Sequence, residues 1–309
     1  MKKIALIMLL LLCAQGLFAQ EEDESGITTS SSLNLQISTL PEAKLSFIQQ
    51  FKFPFLQGSN PLTEGNNINL MLRGEISPVS MNGILGVVWT PIAFFEFNMG
   101  GRVGSGWYLE ALNAKGIGIN YADGAGKAKL DSSPFDGLLW GAWTGGTIQM
   151  DFAALFPGDW NHVVFQTYHE INYKGYSRAK NFDSWYYEAD AGENCNGFNY
   201  YGNFVLGYQM PLSPVLNMIA LLTEMDLYLY DTPNRSSWGD ERIRWTFSAI
   251  YNFIITKQFS FAVITQLRTM RNYKELDWEE LYYRNRSIDK NKPLRLEPYR
   301  IAVSFTYKF

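Results

Sequence analysis

Tyr299-Arg300-Ile301-Ala302-Val303-Ser304-Phe305-Thr306-Tyr307-Lys308-Phe309 closes the sequence, and its parity decides how the rest is read. Odd positions are Tyr, Ile, Val, Phe, Tyr and Phe; even positions are Arg, Ala, Ser, Thr and Lys. Successive side chains of a β-strand point to opposite faces, so this segment has one oily face and one wet face. In a water-soluble sandwich such a long, apolar, uncapped strand is an edge that invites aggregation. Closing the sheet into a barrel removes the edge.

The segment resembles the closing strand of bacterial outer-membrane β-barrels, which alternates apolar residues and commonly ends in Phe. The resemblance implies an outer-membrane location in contact with lipid, and recognition of this strand by the barrel-assembly machinery. It covers these residues alone and indicates a class, not a particular family.

The other end of the chain agrees. Lys2 and Lys3 precede an apolar run from Ile4 to Leu12, and Leu17-Phe18-Ala19 ends in the small residue a signal peptidase needs. Residues 1–19 therefore read as a secretory signal, too short for a spanning helix. A lipoprotein reading through Cys13 is disfavoured by the bulky Leu12 before it. Residues 20–32 are acidic and Ser/Thr-rich (Glu21, Glu22, Asp23, Glu24) and read as a flexible periplasmic tail.

The formal charge is −4, and loss of Lys2 and Lys3 makes it more acidic, so no nucleic-acid partner is expected. One cysteine, Cys195, lies beyond the signal, which excludes an internal disulfide. Aromatic residues make up 16% of the chain and mean hydropathy is −0.14. No window past the signal reaches the roughly 18 apolar residues of a spanning helix, so a membrane form must be a closed barrel.

Residues 33–309 then read as a single all-β domain, an antiparallel up-and-down transmembrane barrel of about twelve strands, with ten or fourteen as alternatives. Alternation runs through Leu33–Ile37, Leu45–Phe55, Ile68–Ile76, two segments split at Thr90-Pro91, Trp140–Phe152, Phe165–Tyr173, Phe198–Met210, Ile219–Leu229, Ile243–Ile255, Phe259–Leu267 and the last segment. Residues 104–137, 175–196 and 272–297 read as long loops. In the last two thirds of the chain short connections alternate with long ones: Pro157-Gly158-Asp159, Pro211–Pro214 and Thr256-Lys257 against 175–196, 231–240 and 272–297. Barrels of this type have short periplasmic turns and long extracellular loops, and an even strand count leaves both ends periplasmic.

The oily parity is expected to face lipid at Trp245, Phe247, Tyr251, Phe253, Phe305, Tyr307 and Phe309. The wet parity of the last four strands gives a candidate pore lining: Glu224, Asp226, Arg242, Arg244, Arg268 and Arg300. It selects small polar solutes by sign and size, or forms a paired network that fills the lumen. No cofactor, metal or catalytic site is expected. His162 and His169 fall on opposite faces, and no nucleophile motif accompanies them. Gly101-Arg102-Val103-Gly104-Ser105-Gly106 has the wrong spacing for a dinucleotide loop. Asp183-Ser184-Trp185-Tyr186-Tyr187-Glu188 has the composition of a sugar-stacking loop, but reads better as interfacial aromatics at the outer surface. The expectation is an outer-membrane channel; a plugged scaffold or adhesin, and an outer-membrane hydrolase using His162, are the alternatives.

Overall fold

The computed structural model describes residues 26–309 except 41, 111, 112, 115, 181, 189–191, 212, 214 and 231. The expected signal and residues 20–25 of the expected tail lie outside them. The strands are β1 (Thr28–Ser38), β2 (Ala43–Pro54), β3 (Asn67–Ile76), β4 (Ser80–Ile92), β5 (Phe95–Gly106), β6 (Ile117–Ala122), β7 (Ala128–Asp131), β8 (Leu139–Asp151), β9 (Val163–Tyr176), β10 (Ser184–Tyr187), β11 (Gly197–Gln209), β12 (Leu216–Tyr228), β13 (Arg244–Ile254), β14 (Phe259–Arg271) and β15 (Leu294–Lys308). Twelve of them close an antiparallel barrel in which each pairs with its neighbour in the wall, and β1 meets β15. The remaining three form a separate small sheet in the order β10-β6-β7.

Alternation decides which way the wall faces. Phe247 and Tyr307 are 40% and 45% exposed on the outer surface, while small or polar residues of the opposite parity, Ser46, Asn199, Ala220, Ser248 and Ala302, are buried. Trp245, Phe253 and Phe305 share the outer parity and are half-buried against neighbouring rings. Phe253 stacks on Phe261 at 4.7 Å, and Phe261 lies 6.2 Å from Phe305, so aromatics run across three adjacent strands. Tyr251 and Phe309 are exposed on the same surface. No helix among the described residues is long and apolar enough to cross a membrane.

Several strand ends differ from expectation. β1 begins at Thr28, so part of the expected tail is wall. Thr28–Ser32 pair with Ile48–Lys52 through backbone bonds that need no apolar side chains. The expected split at Thr90-Pro91 falls instead at Ala93-Phe94. Pro91, which cannot donate to a ladder, sits where the β4–β5 register shifts. β15 starts at Leu294, earlier than the apolar pattern indicates. Its register slips opposite Gln266 and Leu267, where Pro298 and Tyr299 interrupt the alternation. The turn expected at 157–159 is part of a longer connection, 152–162.

One barrel end holds the outer ends of β1 and β15 and the connections 55–66, 93–94, 152–162, 210–215 and 255–258. The other holds 39–42, 77–79, 107–138, 177–196, 229–243 and 272–293. The longest connections lie at one end as the sequence predicts, but 55–66 and 152–162 are long on the short-turn side, and 39–42 and 77–79 leave a low rim on the long-loop side.

Candidate functional site

The wet parity turns inward, and its charge is unevenly spread. Near the long-loop end, Arg73 pairs with Glu75 at 2.7 Å and Arg268 with Glu297 at 3.0 Å. Asp226 and Arg244 are direct cross-strand partners, with Nη2 3.8 Å from Oδ1, and the Arg244 guanidinium lies over the Tyr228 ring at 4.3 Å. Toward the short-turn end the inward residues are mostly neutral, such as Asn69, Gln166, Gln209, Asn252 and Ser304.

Five of the six residues expected to line a pore lie in this inward set. Glu224 accepts the Tyr201 hydroxyl at 2.7 Å. Arg300 donates to Gln266 at 2.6 Å and reaches Glu42, while Gln266 donates to Ser248 at 2.9 Å; this chain of contacts crosses three strands and the 39–42 turn. Tyr299 lies between two cations, its ring 4.2 Å from Arg268 and 4.9 Å from Arg300. Arg242 stands apart: it precedes β13, is exposed, and pairs with the adjacent Glu241 at 3.3 Å. Its even number matches the inward parity, but the strand has not begun there.

The long loops fold over this mouth as a cap. Ser184–Tyr187 of loop 177–196 pair with Ile117–Asn120 of loop 107–138. The β6–β7 hairpin meets loop 272–293 through the Lys127–Leu281 bridge, and Trp238 of loop 229–243 donates to the Arg284 carbonyl at 3.2 Å. Ile117, Leu139, Tyr176 and Trp185 pack into a core at the base of the cap, Trp185 being 1% exposed. Burying each such side chain contributes roughly 1.5–3 kcal/mol. The aromatics at 185–187 therefore do not sit at a membrane surface: Trp185 and Tyr186 are buried, and Tyr187 donates to Asn82 at 2.8 Å.

Loop 177–196 is pinned on both sides of the mouth. Glu188 accepts from Lys44 at 2.9 Å and from Ser80 at 2.6 Å, on the low rim. On the far side Glu193 lies 3.2 Å from both Arg271 and Arg286 and accepts the Tyr273 hydroxyl at 3.1 Å. Arg271 also reaches Asp240 at 3.1 Å, and Asp240 accepts from Tyr283 and from Thr232. Three long loops and the end of β14 thus meet in one buried ionic cluster. Burial, with the Glu193 charge beside Tyr273 and the Asp240 charge beside Tyr283, holds both hydroxyls in their protonated form.

Cys195 is buried in the same loop with its Sγ 3.6 Å from the Phe182 carbonyl, and burial pushes the thiol up to about 12. Since the thiolate is the nucleophile, maleimide at pH 8 is expected to leave the folded protein unlabelled and to label it fully after denaturation. Rapid labelling of the native barrel, followed by mass spectrometry, would show that the cap opens freely.

His162 lies just before β9, its Nδ1 2.7 Å from Asp151 Oδ2 at the short-turn rim. No hydroxyl or thiol completes a nucleophilic arrangement there among the described residues. His169 faces outward, 2.6 Å from the Tyr200 hydroxyl and 2.9 Å from Thr167.

Comparison with known proteins finds distant likenesses. Over 91% of this chain and 99% of the other, it is similar to the KdgM porin, at 10% identity and a TM-score of 0.38. It is similar to the NanC porin over 91% of this chain and 100% of the other, at 5% identity and a TM-score of 0.41. A third likeness is to the β domain of the Bordetella autotransporter BrkA, over 90% and 97% at 11% identity and a TM-score of 0.39. No protein-family model and no curated protein matches the chain.

Sequence reasoning missed the buried cluster. Glu193, Asp240, Arg271 and Arg286 are separated in sequence and lie in or beside segments without periodicity. The available signal was the density of Tyr and Arg in 271–286, unusual for a freely solvated loop.

Proposed function

We propose that the chain is an outer-membrane channel for small polar solutes, with its short turns in the periplasm and its cap at the cell surface. The observation that carries the reading is the closed wall with an apolar outside and a polar inside. Water-excluding lipid accepts the first and hydrated solute the second. In this reading Trp245, Phe247, Tyr251, Phe253, Phe305, Tyr307 and Phe309 meet lipid, and the C-terminal strand is what the assembly machinery engages. Glu224, Asp226, Arg244, Arg268 and Arg300 form the charged part of the path, and Arg242 acts outside it, in the cap. The reading contains no enzymatic step.

Planar-bilayer recording tests it. Stepwise currents are expected, and Arg244→Ala is expected to shift selectivity toward cations because Asp226 loses its partner. Fully inserted protein that carries no current would favour a second reading, a filled barrel that displays its cap. That reading draws on the burial of the small inward residues Ala220, Ser248 and Ala302, which larger side chains must cover.

A further inference from the structure

One arc of the inner wall is aromatic. Trp143, Tyr168 and Tyr201 lie on the neighbouring strands β8, β9 and β11, all on the inward parity. The Trp143 and Tyr168 rings lie against the wall because glycine leaves room. A Cβ on Gly100 would stand 2.2 Å from Trp143 Cζ2, and one on Gly86 would stand 4.0 Å from the same atom, so the indole lies across both positions. A Cβ on Gly145 would stand 2.9 Å from Tyr168 Cε2. A ring laid on backbone has one face against the wall and the other toward the lumen. Tyr201 stands beside Tyr168, with ring centres 6.1 Å apart and planes tilted by 58°, so the arc is a curved row of rings and not a flat surface.

The rings are held in place. The Tyr168 hydroxyl rests against Glu170 and 2.9 Å from Asn98 Oδ1. The Tyr201 hydroxyl donates to Glu224 at 2.7 Å, and Asn203 donates to the Tyr201 oxygen at 3.4 Å. A fixed surface loses little conformational entropy when a ligand settles on it. The Trp143 indole N–H donates to no described residue, which leaves a hydrogen-bond donor in the arc.

From this we infer that the arc is a binding platform for a neutral saccharide, a proposal that rests on the channel reading above and names its solute. Pyranose rings carry apolar C–H faces that stack on aromatic faces, and a rim of hydroxyls that bond to carboxylates and amides. Trp143, Tyr168 and Tyr201 supply the faces; Asn98, Glu170 and Glu224 supply the rim. Two carboxylates at the rim repel an acidic sugar, so neutral oligomers are selected over uronic-acid oligomers of equal length.

Titration calorimetry on the full chain, folded in detergent, with glucose oligomers reads binding without needing a current. Binding is expected, with weaker heat from uronic-acid oligomers. Trp143→Ala is expected to lower affinity about tenfold or more, and Trp143→Phe, which keeps a ring face, to retain most of it. Tyr201→Ala gives an independent variant should the Trp143 change impair folding. Absence of binding at millimolar glucose oligomer, equal affinity in Trp143→Ala, or preference for the acidic sugar overturns the proposal. Heat without bilayer current removes the channel reading and leaves the platform; current without heat removes the platform alone.

Discussion

Arg271→Ala is expected to release the cap from the barrel mouth. Arg271 is 2% exposed and brings Glu193, Asp240 and the Tyr283 hydroxyl within about hydrogen-bond distance of one guanidinium nitrogen. Its removal leaves two buried carboxylates with Arg286 as the remaining cation in contact with Glu193. Breaking a buried ion pair from one side costs roughly 3–5 kcal/mol, because the surviving charge keeps its desolvation cost and loses its compensation. That exceeds what the apolar contact of any one cap residue contributes, so loops 177–196, 229–243 and 272–293 should lose their common anchor while the wall, held by its own ladders, stays closed.

Limited proteolysis of vesicle-embedded protein reads this directly. New cleavage is expected inside those three loops, with the barrel strands protected. Adding Glu193→Gln to Arg271→Ala removes one stranded charge and should recover part of the protection. Arg271→Lys should recover little, since a single ammonium replaces a planar fork that spans several acceptors. A cap in Arg271→Ala as resistant as that of the parent protein would mean the cluster contributes nothing to holding the loops.

Where the chain obeys a period of two, the sequence already contained the architecture. Ile243–Ile255, apart from Ile250 and Ile254, and Ile301–Phe309 put their bulky apolar residues on one parity, and the wall uses that parity as its outer face. Strand ends were less legible, for two separate reasons. Thr28–Ser32 are polar on both faces, so hydropathy says nothing of them although their backbones complete the β1–β2 ladder. Leu294–Pro298 carry Arg295 and Glu297 inward beside a register shift, and this hides a strand that continues past the apolar run. The cap was hidden most completely. Its residues come from four segments that touch only after the wall has brought their ends together, and a buried cluster such as Arg271–Glu193–Arg286 leaves no local pattern. Arg242 shows the same limit at one position, since parity assigns a face only to a residue already inside a strand.

Leu221→Arg tests the membrane placement with a comparably large effect. Leu221 lies near the middle of β12, is 60% exposed on the outer surface and sits beside Ala249 of β13. In water, an exposed leucine replaced by arginine costs almost nothing. In a bilayer the same change puts a guanidinium near the hydrocarbon midplane, at a cost of roughly 2–4 kcal/mol. Tyr307→Arg, close to the end of β15, meets the interface instead and should cost about 0–1 kcal/mol. Denaturant titration of protein folded into vesicles measures both. A large loss at 221 with a small one at 307 requires a hydrocarbon slab around the middle of the wall. Equal and small losses at the two positions would mean that water, and not lipid, surrounds this barrel, and the apolar parity would then need another occupant.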